Sequence, residues 1–161
     1  MEKFQEERIA LSLPSLRLDS KLKETLEETQ KVRKTSLTYA MEAGTQRLRD
    51  VINKGITEEN LMSSVSDTFA GGWSSVKLYF MFGLPTETTE DLNGIADLAS
   101  KVVRKYFETP KNVRARGLRV NCSASCFVPK PFTPFQWEPQ DTIGQFEEKQ
   151  KHLCQIGRAH V

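Results

Sequence analysis

Cysteine and histidine are scarce in this sequence, three and two residues in 161. An odd trio of cysteines is not the paired pattern of a small secreted scaffold, so a disulfide framework is excluded and a reducing compartment is expected. Long apolar runs are missing as well: no stretch approaches the roughly 18 uninterrupted apolar residues that a membrane span needs. The opening residues, MEKFQEERIALSL, hold no signal-peptide core. Charge of one sign is also nearly missing. Twenty-three basic side chains against twenty-one acidic ones leave +2, too little to draw the chain onto nucleic acid or an anionic bilayer. These absences predict a cytoplasmic protein without a membrane partner and give no indication of a nucleic-acid partner.

What is present is ordinary for one folded domain. Hydrophobic residues make up 38% and charged residues 27%, enough for a single core. Four short apolar runs read as strands, over 8–16, 36–41, 73–84 and 118–128. Between them lie helical patterns. Asp19 and Ser20 cap the first, which runs to Val32. Thr45 opens a second with Leu48, Val51 and Ile52 inward, and Gly55 ends it. Thr57 caps a third that carries Leu61, Val65 and Phe69 on one face and stops at Gly71-Gly72. Thr88 and Asp91 form a capping box before a stripe of Leu92, Ile95, Ala96, Ala99, Val102, Val103 and Tyr106. A charged helix follows Asp141. Repeated strand–helix units predict an α/β fold with a parallel sheet and outer helices. Four strands are too few to close a (β/α)8 barrel of about 250 residues, so the pattern predicts a small open sheet or a piece of a barrel, and the ragged ends favour the piece.

In such folds ligands bind at the C-terminal ends of the strands. Three of those ends read MEAGT, FGLPTET and CFVPKPFTPF, and the first strand ends in LPSLRLD. Glu42 can accept from ribose hydroxyls or an amine, or it can be a charge at a helix start. Arg17 and Lys54 can each pair with a carboxylate or simply be solvated. Gly83 with the rigid Leu84-Pro85 turn lets backbone approach a flat uncharged group such as adenine, or makes a tight turn and nothing more. A phosphate site is disfavoured there. The chain has no Gly-x-Gly-x-x-Gly and no Gly-Lys-Ser/Thr, and Glu87, Glu90 and Asp91 crowd the following helix start. Tyr79 and Met81 are expected to pack inside the sheet.

Cys122 and Cys126 raise the possibility of a metal site. A cluster-binding triplet needs a third cysteine three residues on, where Pro129 stands. Four residues apart on one strand, the two share a face at about 13 Å separation, too far for a disulfide or one shared metal. They are expected to be buried packing groups.

In order, SLPSLRLDS, AMEAGTQRLRDVINKGITEENL, VKLYFMFGLPTETTEDL and FVPKPFTPFQWEPQ resemble the radical S-adenosylmethionine (SAM) superfamily, and within it the proteins that carry a B12-binding domain. The resemblance spans about residues 8–154. It implies a partial TIM-type barrel, strands three to six of a (β/α)6 core. The Cys-x-x-x-Cys-x-x-Cys loop for a 4Fe-4S cluster and the motif for the SAM amino group would both precede Met1, with a cobalamin-binding domain further upstream. The resemblance places Ser15 and Arg17 toward SAM or substrate, Glu42 near the SAM ribose, Lys54 at the SAM carboxylate and Gly83-Leu84-Pro85 beside adenine. Lys130, Thr133 and Phe135 would face the substrate. Two departures are local: Met41 stands where proline is usual, and the CSASC cysteines stand where small or β-branched residues are usual. The implied chemistry is reductive SAM cleavage to a 5′-deoxyadenosyl radical that acts on an unknown substrate.

Residues 1–154 thus read as the C-terminal portion of such a core. Residues 155–161, QIGRAHV, match the translation of a common sequencing adapter and read as a non-native tail. The expected partners are SAM, the N-terminal half of the same barrel and a reductant for the cluster. The chain alone is expected to be inactive. A non-catalytic βα interaction module, or a phosphate-binding βα enzyme, is the alternative.

Overall fold

The computed structural model describes residues 36–159. The strand expected over 8–16, the helix after Asp19, and the candidates Ser15 and Arg17 lie outside the described residues. The elements within them are β1 (Leu37–Glu42), α1 (Gln46–Val51), α2 (Glu58–Ala70), β2 (Ser75–Phe82), α3 (Thr89–Glu108), β3 (Arg119–Cys126) and α4 (Ile143–Ala159). The three strands pair in sequence order, β1-β2-β3, and both pairings are parallel. This is the α/β architecture with a parallel sheet that strand–helix alternation predicts. No helix among the described residues is long and apolar enough to cross a membrane.

Alternation sorts the strands into two faces. Leu37 pairs with Val76 and Val76 with Val120; Tyr39 pairs with Leu78 and Leu78 with Cys122. On that face Leu37, Tyr39, Val76, Leu78 and Phe80 are buried with Leu61, Val65 and Phe69 of α2 and Ile95, Leu98, Val102 and Tyr106 of α3 in one core. A hydrogen bond fixes α2 to the sheet: the Tyr39 hydroxyl and Thr68 Oγ1 lie 2.5 Å apart. The opposite face carries Thr38, Lys77, Tyr79, Asn121, Ser123 and Ser125. Tyr79 is 40% exposed there. It does not pack as expected, because the core helices α2 and α3 lie on the other side.

The caps explain the helix starts. Thr57 and Asn60 close a reciprocal capping box on α2. The Thr88 amide donates to the Asp91 carboxylate at 2.8 Å and opens α3. The expectations for α1 need correction. Its helix ends at Val51, and the left-handed residue is Asn53 (φ 54°) rather than Gly55; asparagine tolerates that conformation. Val51 faces outward, while Arg49 is 1% exposed.

Candidate functional site

The C-terminal ends of the strands bring several sequence candidates together. β1 ends in an irregularity: the ladder skips between Ala40 and Glu42, which pairs with Phe80. Glu42 has φ 66°, a left-handed backbone that costs a non-glycine residue free energy and that concentrates at functional sites. The chain then passes Ala43 and Gly44 into α1. After α1 it turns back, and Lys54 Nζ lies 3.2 Å from Glu42 Oε1. Both side chains remain partly exposed, 30% for Lys54 and 26% for Glu42. The carboxylate and the ammonium, twelve residues apart in sequence, form one polar site.

That site is locked to the neighbouring turn. Asp91, 2% exposed, is the hub. Its carboxylate accepts from the Thr45 hydroxyl, from the Arg47 guanidinium, and from the Thr88 amide and hydroxyl. Arg47 also donates to the Thr86 carbonyl at 2.9 Å. Burial alone would push the Asp91 carboxyl up, but the hydrogen bonds from Thr45, Thr88 and Arg47 outweigh it and hold the group below the usual carboxylate range. The backbones meet directly beside this hub. A Cβ on Gly44 would fall 2.2 Å from the Asp91 carbonyl oxygen, and one on Gly94 would fall 2.8 Å from the Gly44 carbonyl carbon. Only two glycines permit that crossing.

The turn after β2 is occupied by the chain itself. Gly83 has φ 79°, and a Cβ there would fall 2.8 Å from both Asp141 Oδ2 and Phe146 Cε1. Its amide donates to Glu87 Oε1 at 2.9 Å. Glu87, 2% exposed, pairs with Lys149 at 2.8 Å, and Lys149 also reaches Asp141 at 2.7 Å. Burial pulls the Lys149 ammonium down, but Asp141 and Glu87 more than offset it and hold the group above its ordinary value. Gly83 thus makes room for α4 on its α-carbon side. Leu84 packs with Ala43, Leu48 and Phe127, and Phe135 packs against that cluster. The Phe127 and Phe135 rings meet edge to face at 6.2 Å. The structure therefore gathers Leu84 and Phe135 in one cluster. Lys130 is exposed, and its carbonyl accepts from the Thr133 hydroxyl at 2.7 Å.

The cysteine expectation is overturned. Cys122 and Cys126 share a face, as four-residue spacing requires, but both are free and exposed, as is Cys154. Among the described residues β3 is an edge strand, and α4 stands away from it. The gap is a cavity of about 560 Å³ lined by Phe82, Ala99, Val120 and the three cysteines among others. Cys122 is exposed as a residue, yet its surroundings at the cavity wall desolvate the thiol enough to push it up. Among the described residues no group of three or more His, Cys, Asp or Glu side chains could hold a metal ion.

Three residues of these networks were missed by sequence reasoning: Arg47, Lys149 and Asp91 in its role between turns. Only Asp91 left a signal, because a glycine at position 94 inside a helix is costly unless another backbone approaches it.

No family model matches the chain. The chain is 39% identical over 106 residues to an uncharacterized protein of Methanocaldococcus jannaschii; the match takes in 66% of this chain and 21% of that protein. The chain thus spans about a fifth of the length of the curated relative it matches.

Proposed function

We propose that this chain is the C-terminal portion of a radical SAM core, a partial (β/α)6 barrel that holds SAM against the ends of its parallel strands. The Glu42–Lys54 pair carries the reading. A carboxylate accepts hydrogen bonds from ribose hydroxyls, and an ammonium pairs with an α-carboxylate. SAM presents both groups on one molecule. The pair is partly open to solvent, so each charge can exchange its partner for ligand. Glu42 also keeps a left-handed backbone, the kind of local strain that function retains. The sheet supports the barrel. Its strands follow sequence order without reversal, and the face away from the core helices carries polar Thr38, Lys77, Asn121, Ser123 and Ser125, as a lumen around a polar ligand requires.

Gly83-Leu84-Pro85 would border the adenine through the outer edge of the turn, since the Gly83 amide and α-carbon side are taken by Glu87, Asp141 and Phe146. Lys130, Thr133 and Phe135 would meet the substrate. The 4Fe-4S cluster does not fit the described residues, whose thiols lie along the cavity between β3 and α4; its ligands, and any cobalamin domain, belong to other parts of the protein. Bound SAM, given one electron from a reduced 4Fe-4S cluster held elsewhere in the protein, would break its C5′–S bond and supply a 5′-deoxyadenosyl radical, with methionine as the leaving group.

Calorimetric titration with S-adenosylhomocysteine tests the pair. Glu42→Gln and Lys54→Met should each weaken binding by about tenfold, the worth of one charge-assisted hydrogen bond. Binding indifferent to both changes, or none to the wild type, overturns the reading. The 161-residue chain should stay colourless on anaerobic reconstitution with iron and sulfide and release no 5′-deoxyadenosine from SAM. The internally filled Gly83 turn favours the second reading, a non-catalytic βα module, which predicts no affinity for any adenosyl compound.

A further inference from the structure

Among the described residues Arg49 is the one basic side chain that is buried, and it lies directly beside the Glu42–Lys54 pair. It is 1% exposed. Its guanidinium donates to the Ala43 carbonyl at 2.9 Å, to the Ile56 carbonyl at 3.1 Å and to Gln46 Oε1 at 3.1 Å. None of these acceptors is a carboxylate. Burying a cation against carbonyls alone is costly, and burial lowers its proton affinity against the raising influence of Glu58 and Asp50. A side chain kept in that position is expected to hold something that needs holding.

Ala43 directly follows Glu42, and Ile56 lies two residues past Lys54. The Lys54 amide in turn donates to the Arg49 carbonyl at 2.8 Å. The guanidinium therefore closes a ring. One side of it is the Glu42–Lys54 ion pair, 3.2 Å long; the opposite side is Arg49 spanning the two backbones that carry those residues. An ion pair as exposed as this one holds itself only weakly. The returning loop also contains Asn53 with φ 54°; its own backbone bonds, Asn53 amide to Asp50 carbonyl at 3.0 Å and Lys54 amide to Arg49 carbonyl at 2.8 Å, tie the turn to α1, and the guanidinium is what ties it to the end of β1.

We propose that Arg49 is the positioning residue of the Glu42–Lys54 site: it sets the spacing between the acceptor for ribose hydroxyls and the ammonium for the ligand carboxylate. The inference rests on the cofactor reading of that pair. The planar fork is required, because it reaches two carbonyls at fixed separation, whereas a lysine ammonium is a point charge on a flexible stem.

Arg49→Lys keeps the charge and removes the fork. In calorimetry its affinity for S-adenosylhomocysteine should fall about tenfold, while its affinity for 5′-methylthioadenosine, which has the ribose but no carboxylate, should stay within about twofold of wild type. A general loss of folding would lower both together, and equal affinities for both ligands in variant and wild type overturn the role. A second measurement needs no ligand. In the free wild type, Glu42→Gln should shift the Lys54 Nζ resonance in nitrogen-15 spectra; in the Arg49→Lys background that shift should vanish, and its persistence overturns the clamp. If wild type ignores S-adenosylhomocysteine, the adenosyl reading falls and the clamp is judged by the resonance alone. Should Arg49→Lys not fold, Gln46→Ala, which removes one surface acceptor of the guanidinium, should reproduce both effects at smaller size, and no effect of either kind overturns the role.

Discussion

The two flanks of the sheet obey the same register and reach opposite ends. On one flank Tyr39 and Leu78 lie side by side, each 0% exposed. On the other, Cys122 is the register partner of that same Leu78 and is exposed. Strand geometry does not distinguish them. Cover does: α2 and α3 press on β1 and β2 in one core, whereas α4 stands off β3 across a cavity of about 560 Å³. The side chains aimed at that cavity from β3, Val120, Cys122, Ala124 and Cys126, are small and fill little of it. Alternation in a strand therefore reports which residues share a face, while burial depends on what the neighbouring helix brings to that face.

The difference can be tested from its largest effect downward. Leu78→Ala should cost about 3 kcal/mol in chemical denaturation, the usual loss for a fully enclosed leucine, while Cys122→Ala beside it should cost less than about 1 kcal/mol; equal losses would mean that β3 is as well covered as β2. Next come two glycines. Gly44→Ala must push apart backbones that already touch and should cost about 3 kcal/mol. Gly144→Ala in α4 has open space around it and should stabilise by about 0.5 kcal/mol through helix propensity alone. Differential scanning calorimetry reads both. The last effect appears only in alkali. Burial pushes the Tyr39 hydroxyl up to about 12 from an unfolded value near 10.0, against the opposing hydrogen bond with Thr68. The folded state retains a proton that the unfolded chain gives up, so Tyr39's contribution to stability is complete below pH ~10 and lost as pH rises through ~12. Denaturation midpoints across that window should fall for wild type and fall less for Tyr39→Phe.

Much of the covered flank was legible in sequence. The apolar alternation of β2, the Leu61–Val65–Phe69 face of α2 and the Thr88–Asp91 cap are local patterns, and each appears where its period places it. Glu42 and Lys54 were legible singly, as charges near a strand end and a helix end. Their pairing was not, because it depends on Asn53 reversing the chain after a helix of only six residues. Arg49 escaped for a related reason. Period rules turn apolar residues inward, and nothing local announces that two backbone carbonyls will need a cation. The Lys149–Glu87–Asp141 cluster joins residues from the start of α3 and the start of α4, and pattern reading does not reach that far. The cysteines were misjudged because small apolar groups in a strand signal packing only if a helix closes over them.

Glu42 is where the chain's interests as a folded object and the proposed binding role part company. Its left-handed backbone would suit glycine. Glu42→Gly should raise the melting temperature through about 1 kcal/mol of relieved strain, even after the exposed ion pair is lost, and should at the same time remove the carboxylate on which the proposed ligand contact rests. A selection for thermal resistance alone would therefore erase Glu42 early, whereas a selection for ligand retention would keep it at a disadvantage in stability. Running the two selections on one library at this single codon would weigh function against folding directly.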